Sequence, residues 1–229
     1  MCVYRNMLKS RFKRDLLIEA GVDEVGRGCL WGPLVTGAVI WLPEEEWTEE
    51  IREVSEQIKD SKKMTEKKRT KLAEIIKGCA LDYAIGVVEA SEVDELGMTR
   101  ANQTAFARAV QGLAVPPDRL LVDGTIPLLA EDWEGEQHTI VDGDAEYIPI
   151  AAASILAKVY RDTWVESWCS EHKDIASNYS LVSSKGYGTA AHRNGLLTHG
   201  VHALHRRLFL RKILGEQIYQ PSHQYKLLD

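Results

Sequence analysis

The sequence predicts an α/β fold with a central mixed β-sheet flanked by helices, plus a helical C-terminal region. Three observations carry this. Strand-like runs come first and then alternate with helical patterns. Several strand runs end in Asp-Gly or Asp-Glu, the pattern of a site along strand ends. A glycine-rich loop near residue 186 then leads into a last helical stretch.

The strand and helix signals run as follows. Tyr4 to Arg14 places Tyr4, Met7, Leu8 and Phe12 near helical spacing, which reads as a docking helix with a solvated basic face. The alternative is a basic arm that meets a polyanion. Leu16 to Val22 is a strand that runs into the turn Asp23-Glu24-Val25-Gly26-Arg27-Gly28, and Leu34 to Leu42 is a second strand, antiparallel to the first. Glu44 to Glu50 is a solvated acidic run at a helix start. Charge inverts from Lys59 to Lys71, with seven basic residues against two acids. Within that stretch Thr65 caps a helix whose Leu72, Ile75 and Ile76 face the core. Leu81 to Glu89 alternates as a half-buried strand on Leu81, Tyr83, Ile85 and Val87, and Ser91-x-x-Asp94 resembles a capping box opening a helix through Arg108. Pro116-Pro117 breaks the chain before Leu120-Leu121-Val122-Asp123-Gly124, a buried strand ending in a carboxylate, and Thr139 to Asp144 repeats that form. Ile148 to Cys169 is a long helix opened by Pro149, in which Ala151, Ala152 and Ala153 permit close packing.

Composition narrows the class. The chain has 229 residues, 34 acids against 28 bases, a net charge of −6 and 45% apolar residues. That excludes disordered, collagen-like and coiled-coil chains, and the length suffices for a core without disulfide or metal staples. No apolar run reaches the roughly 18 residues of a membrane span. Net acidity argues against a general nucleic-acid coat protein. Cys2, Cys29, Cys79 and Cys169 are too scattered for a zinc site or disulfide framework, which fits a reducing compartment. The basic N-terminus is followed by too short an apolar stretch for a signal peptide, so a cytoplasmic protein is expected.

Carboxylates at three strand ends are the chemistry-bearing feature: Asp23 with Glu24, Asp123, and Asp144. Gathered together they repel and raise one another's pKa. Hard divalent cations such as Mg²⁺ or Mn²⁺ relieve that repulsion, and a pair of them can activate water and stabilise the leaving oxygen of a phosphodiester. The alternative is that each acid caps a turn, which is the preferred reading of Asp142-Gly143. Because neighbouring strand residues point to opposite faces, the turn is expected to begin at or before Glu24 if both acids are to meet an ion.

Six blocks in order then resemble the ribonuclease HII family: Gly21 to Gly28, Asp60-Ser61-Lys62-Lys63, Leu121-Val122-Asp123-Gly124, Ala151 to Asp162, Lys185-Gly186-Tyr187-Gly188-Thr189, and His205-Arg206-Arg207-x-Phe209. The resemblance spans Gly21 to about Phe209. It implies a ribonuclease H-like fold in a single catalytic domain over 1–229, with a core at about 16–170 and a helical substrate-binding region at about 171–229. It implies a metal-dependent endonuclease acting as a monomer on RNA–DNA hybrids and on duplex DNA containing ribonucleotides. It matches Asp23, Glu24, Asp123 and Asp144 to the family's four metal-site acids, for Mg²⁺ or Mn²⁺ with two ions during catalysis. It matches Gly26, Arg27 and Gly28 to the segment that reads the 2′-OH and adjoining phosphate, and Tyr187 to the tyrosine beside the junction sugar. A 2′-OH is what separates RNA from DNA at one position, and glycine lets a backbone approach it.

Lys62 and Lys63 are candidates for the duplex backbone, the alternative being a solvated helix face. Ser154 and Lys158, four apart on one helical face, are candidates for phosphate contact against simple packing or surface roles, as are Arg206 and Arg207. The chain departs from the family at Asp142, where lysine is usual, at Leu208 in place of serine, and at Gly200 to Leu204, which replaces a proline-rich segment. Clustered histidines without cysteine partners argue against zinc. The alternatives are a catalytically weak hybrid-binding module of the same fold, a ribonuclease HIII, disfavoured because 22 residues precede Asp23, and another metal-dependent phosphoesterase lacking the Gly-Arg-Gly and Lys-Gly-Tyr-Gly segments. Residues 216–229 hold no clear sliding-clamp motif.

Overall fold

A computed structural model describes residues 7–59, 61 and 64–215. Their order is β1 (Glu19–Val25), β2 (Leu34–Ile40), α1 (Glu49–Gln57), α2 (Glu66–Cys79), β3 (Asp82–Val88), α3 (Ala90–Leu96), α4 (Met98–Gln111), β4 (Arg119–Asp123), β5 (Glu136–Ile140), α5 (Ile148–Glu171), α6 (Lys173–Asn178), α7 (Leu181–Ser184), α8 (Ala190–His199) and α9 (Arg207–Leu214). The chain divides into two compact units. The first holds the described residues through Val25, with Val35–Val87 and Asn102–Val159; the second holds Gly26–Leu34, Val88–Ala101 and the chain from Tyr160 onward.

The first unit is built on a five-stranded sheet of order β3-β2-β1-β4-β5. β2 runs antiparallel to β1, while β4 is parallel to β1 and β5 to β4, so the sheet is mixed as expected. The pleat sorts the side chains. Ala20, Val22, Leu120 and Val122 pack with Phe106 and Ala109 of α4 on one face. On the other face Val39 packs with Ile148, Ala151 and Ala152 of α5 and with Leu72 and Ile76 of α2. The α5 backbone lies directly on the strands. A Cβ added to Gly21 would stand 2.2 Å from the Pro149 carbonyl carbon, and one on Gly37 would stand 2.4 Å from the Ala153 oxygen.

Register is pinned at the far end of the parallel strands. Glu19, Arg119 and Glu136 are neighbours across β1, β4 and β5. The Arg119 guanidinium, 1% exposed, bonds Glu19, Asp15 at 2.7 Å and Glu136 at 3.1 Å. A one-residue slip would separate this buried cation from its partners, at a cost of about 3–5 kcal/mol. Holding that register aligns Val22 with Val122 and sets Asp23 and Asp123 side by side just beyond.

The second unit is helical, around Trp31, Val165, Cys169, Tyr179, Leu181, Leu196 and Leu210. Asp94 accepts the backbone N–H groups of Arg207 and Leu208, both at 2.8 Å, and so caps α9.

Several expectations are corrected. Residues 7–14 form no helix; Lys9 bridges Tyr147 and Phe12 stacks on His138 at 4.2 Å, so this segment docks as an irregular arm, and Tyr4 lies outside the described residues. β1 starts at Glu19 rather than Leu16, which is 99% exposed. In β3 the buried positions are Gly86 and Val88, the opposite set to the one expected, because α4 lies over Gly86, whose added Cβ would meet Ala105 O at 2.2 Å. The capping box is Glu89 with Glu92, not Ser91 with Asp94, and Gly97 at φ 74° divides the expected helix into α3 and α4.

Candidate active site

Asp23 lies on the α5 face of β1 and is 6% exposed. One of its oxygens accepts the Glu24 N–H at 2.7 Å. The Ser154 hydroxyl of α5 hydrogen-bonds to it, and Ser154 Oγ stands 3.0 Å from Ser61 Oγ. Burial is the largest influence on the Asp23 carboxyl and pushes it well above the usual carboxylate range. The charges of Asp123 and Glu24 push the same way, the Ser154 bond opposes them, and Asp144 adds a further push. Asp123, Glu24 and Asp144 therefore each act electrostatically on Asp23.

Each acid reaches this neighbourhood by a different route. Asp123 ends β4, and its Oδ1 accepts the Gly143 N–H at 2.8 Å. That bond ties β4 to the short 3-10 turn Gly143–Ala145, which carries Asp144, 7% exposed. Asp144 is thus on a turn after β5, not at the strand end. Asp142 is exposed and left-handed, with φ 55°, a conformation that Asp tolerates in turns; it is the turn former of the pair. The expected turn at or before Glu24 is absent. β1 continues through Val25, paired residue by residue with β2, so Glu24 stands on the opposite side of the pleat from Asp23.

Among the described residues, no group of three or more His, Cys, Asp or Glu is gathered tightly enough to hold an ion as it stands. The donor chemistry still fits Mg²⁺ or Mn²⁺: hard oxygens, mutually repelling, around a buried carboxyl. Mg²⁺ is commonly held by one or two carboxylates while keeping several waters, so an open set suits it.

The remaining predicted residues fall as follows. Gly26 has φ 88°, and a Cβ there would come within 2.3 Å of Arg161 Nε, so only glycine fits. Arg27 and Gly28 are exposed, and a Cβ on Gly28 would meet nothing within 4 Å. Tyr187 belongs to the same unit and forms an antiparallel bridge with Cys29. Its side chain is 38% exposed, and its hydroxyl, bonded to the Cys29 thiol, is pushed up to about 12, by burial first. Lys62 and Lys63 lie outside the described residues. On either side of them, Arg69 donates to the carbonyls of Ser61 and Met64, each at 3.0 Å. Lys158 is half-buried on α5, and Ser154 is buried at 2%. Arg206 is fully buried and has no surface to offer a phosphate, a correction to its reading as a contact, whereas Arg207 is exposed. The His192 and His205 rings share a hydrogen bond of 3.0 Å, and His192 Nδ1 lies 3.0 Å from the Tyr187 carbonyl.

Two features were missed in the sequence. The Ser61–Ser154 contact joins residues 93 apart, for which one sequence offers no signal. Arg161 did carry one: an arginine seven residues after Ser154 on an apolar helix falls on its inner face.

Known proteins resemble this chain in sequence and fold. The family model described as Ribonuclease HII matches residues 20–212. A ribonuclease HII of Synechococcus sp. (strain CC9902) is 43% identical over 202 residues, covering 86% of this chain and 94% of that protein. The crystal structure of ribonuclease H2 from Pyrococcus horikoshii OT3 superposes with a TM-score of 0.67 at 29% identity, covering 85% of this chain and 96% of that one. The ribonuclease HII in the PCNA complex from Archaeoglobus fulgidus gives a TM-score of 0.65 at 25% identity, covering 83% and 94%. The family-model match over most of the chain and the identity to these relatives show that the chain belongs to the ribonuclease HII family, endoribonucleases of the ribonuclease H type.

Proposed function

We propose that this enzyme is metal-dependent, that it nicks duplex DNA on the 5′ side of an embedded ribonucleotide and cuts the RNA strand of RNA–DNA hybrids, and that it leaves 3′-OH and 5′-phosphate ends. The observation that carries this is the placement of Asp23 and Asp123 at the adjoining ends of β1 and β4, with Asp144 on the turn that Asp123 Oδ1 holds through the Gly143 N–H. Asp23, Glu24, Asp123 and Asp144 would hold Mg²⁺ or Mn²⁺. The bound ions supply an activated water and a stabilised leaving oxygen.

The protein's own groups do the rest. Asp23 is held by the Glu24 amide and the Ser154 hydroxyl, and Asp123 by the Gly143 amide, so both carboxylates meet the substrate already oriented. Gly26-Arg27-Gly28 reads the ribonucleotide: Gly28 leaves room for a sugar to approach the backbone, and the Arg27 guanidinium meets phosphate. Tyr187, a neutral phenol at working pH, offers a flat surface that recognises the sugar without reading a base, which suits cleavage in any sequence. Lys62, Lys63 and Lys158 contribute charge toward the duplex backbone, while Ser154 acts through Asp23.

The test uses end-labelled 20-mer duplexes with one ribonucleotide, beside an all-DNA control, in Mg²⁺ and then Mn²⁺. A single nick 5′ to the ribonucleotide, with EDTA abolishing it, is the expected result. Cutting of both duplexes would remove the role given to Gly26-Arg27-Gly28 and Tyr187. Tight binding without cutting in either metal would replace the nuclease with a hybrid-binding module.

A further inference from the structure

We propose that Arg161 and Arg206 are positioning residues for ribonucleotide recognition, holding the Gly26–Pro33 segment and the Lys185–Tyr187 turn as one rigid reading head. The inference rests on the reading role given above to Gly26-Arg27-Gly28 and Tyr187.

Both arginines are 0% exposed. Buried guanidinium groups are normally matched with carboxylates. Here every hydrogen bond goes instead to a backbone carbonyl. Arg161 donates from Nε to Pro33 O at 2.9 Å, from Nη2 to Trp31 O at 3.0 Å and from Nη1 to Lys185 O at 2.8 Å. Arg206 donates from Nε to Gly32 O at 2.9 Å and from Nη1 to Gly26 O and Arg27 O at 2.7 and 3.2 Å. Among the described residues neither is in an ion pair, and Arg206 Nη2 is buried with no partner at all. Burial without an anion is costly.

The accepting carbonyls belong to the two segments with recognition roles. Arg161 bridges the segments, and its guanidinium lies 5.7 Å from the centre of the Tyr187 ring. The segments also bond directly, with the Leu30 and Trp31 amides donating to Gly186 O at 2.9 and 3.3 Å. Gly186, at φ 83°, has no room for a Cβ, which would stand 2.5 Å from Trp31 O. Three carbonyls from Gly26 to Gly32 are thus turned inward onto Arg206, and those of Trp31 and Pro33 onto Arg161. A peptide's N–H points away from its carbonyl, so fixing the carbonyls inward fixes the direction of the amides that would meet a sugar or phosphate. A guanidinium does this where an ammonium does not, since it offers five donors in a rigid plane.

The test measures discrimination. In Ca²⁺, binding of a duplex with one ribonucleotide and of the all-DNA duplex is compared for wild type, Arg161→Lys and Arg206→Lys, alongside thermal unfolding. Each variant keeps its charge and loses its fork. The expected result is a folded protein whose preference for the ribonucleotide falls about tenfold to a hundredfold, with all-DNA binding little changed. Folded variants with wild-type preference would overturn the inference while leaving the reading intact. No preference in the wild type would instead overturn the reading, and the inference with it. Where a lysine variant does not fold, hydrogen exchange of the wild type decides. Slow exchange of the Leu30 and Trp31 amides before substrate supports a preformed head; fast exchange that slows only with the ribonucleotide duplex overturns it.

Discussion

The two units hold their functional groups in opposite ways. In the sheet unit, anionic side chains are aimed by backbone amides: Glu24 N–H fixes Asp23, and Gly143 N–H fixes Asp123. In the helical unit, backbone carbonyls are aimed by cationic side chains, Arg161 and Arg206. The first arrangement leaves like charges crowded together. The second leaves buried cations with no carboxylate. Each unit therefore carries an electrostatic cost, mutual repulsion of carboxylates in one case and buried charge without a counter-ion in the other.

The sharpest way to break the sheet side is Asp123→Asn. It keeps the oxygen that accepts the Gly143 N–H but removes a charge. Cleavage should fall by more than about a hundredfold. In EDTA the variant should melt no lower than wild type, because relief of repulsion on Asp23 accompanies the loss. The raised Asp23 pKa means that the folded protein holds a proton longer than the unfolded chain, so metal-free stability should fall as pH rises from near 4 through the folded pKa. Near wild-type turnover in the variant would remove Asp123 from the catalytic set.

On the helical side, two glycines separate folding from binding. Gly26→Ala forces a Cβ into Arg161 at a left-handed backbone position and should destabilise by roughly 1–3 kcal/mol in denaturant titration. Gly28→Ala meets no atom of the protein and should leave the melting curve in place while weakening the ribonucleotide duplex. Equal effects on both measurements at the two positions would mean that the head is not distinguished from its support.

Acid should loosen the helical unit. Burial, and then His192, pull His205 down to about 3. Unfolding restores an ordinary imidazole, so the unfolded chain binds the extra proton between about pH 6.5 and 3. Stability should drop across that window by up to about 1.4 kcal/mol per pH unit from this residue, and His205→Gln should flatten the slope.

The smallest effect is expected at Ser154→Ala. Loss of one hydrogen bond to Asp23 should cost less than about tenfold in rate. That bond lowers the Asp23 pKa, so the acid limb of the pH–rate profile should move upward. An unmoved limb would give Ser154 a packing role only.

The sequence was most legible where local chemistry and packing agree. Thr65 does cap α2, accepting from Lys68 N–H at 3.4 Å, and Leu72 and Ile76 are buried. The antiparallel partner of β1 was also readable. The misses share a cause, a distant segment overriding a local pattern. The helical spacing of Met7, Leu8 and Phe12 lost to a bridge with Tyr147 and a stack on His138. The alternation in β3 was inverted by α4 above Gly86. Asp94 was read as opening its own helix but caps one that begins over a hundred residues later. Arg206 was misassigned because sequence cannot tell a cation that faces a phosphate from one that faces a carbonyl.

The contact of α5 with the sheet at Gly21 and Gly37 has a genetic consequence. Every missense change at either codon adds at least a Cβ, and both sites face backbone atoms, which cannot swing aside as a side-chain tip can. These two codons therefore have no conservative neighbour, and the joint beneath Asp23 can vary only through paired changes in strand and helix.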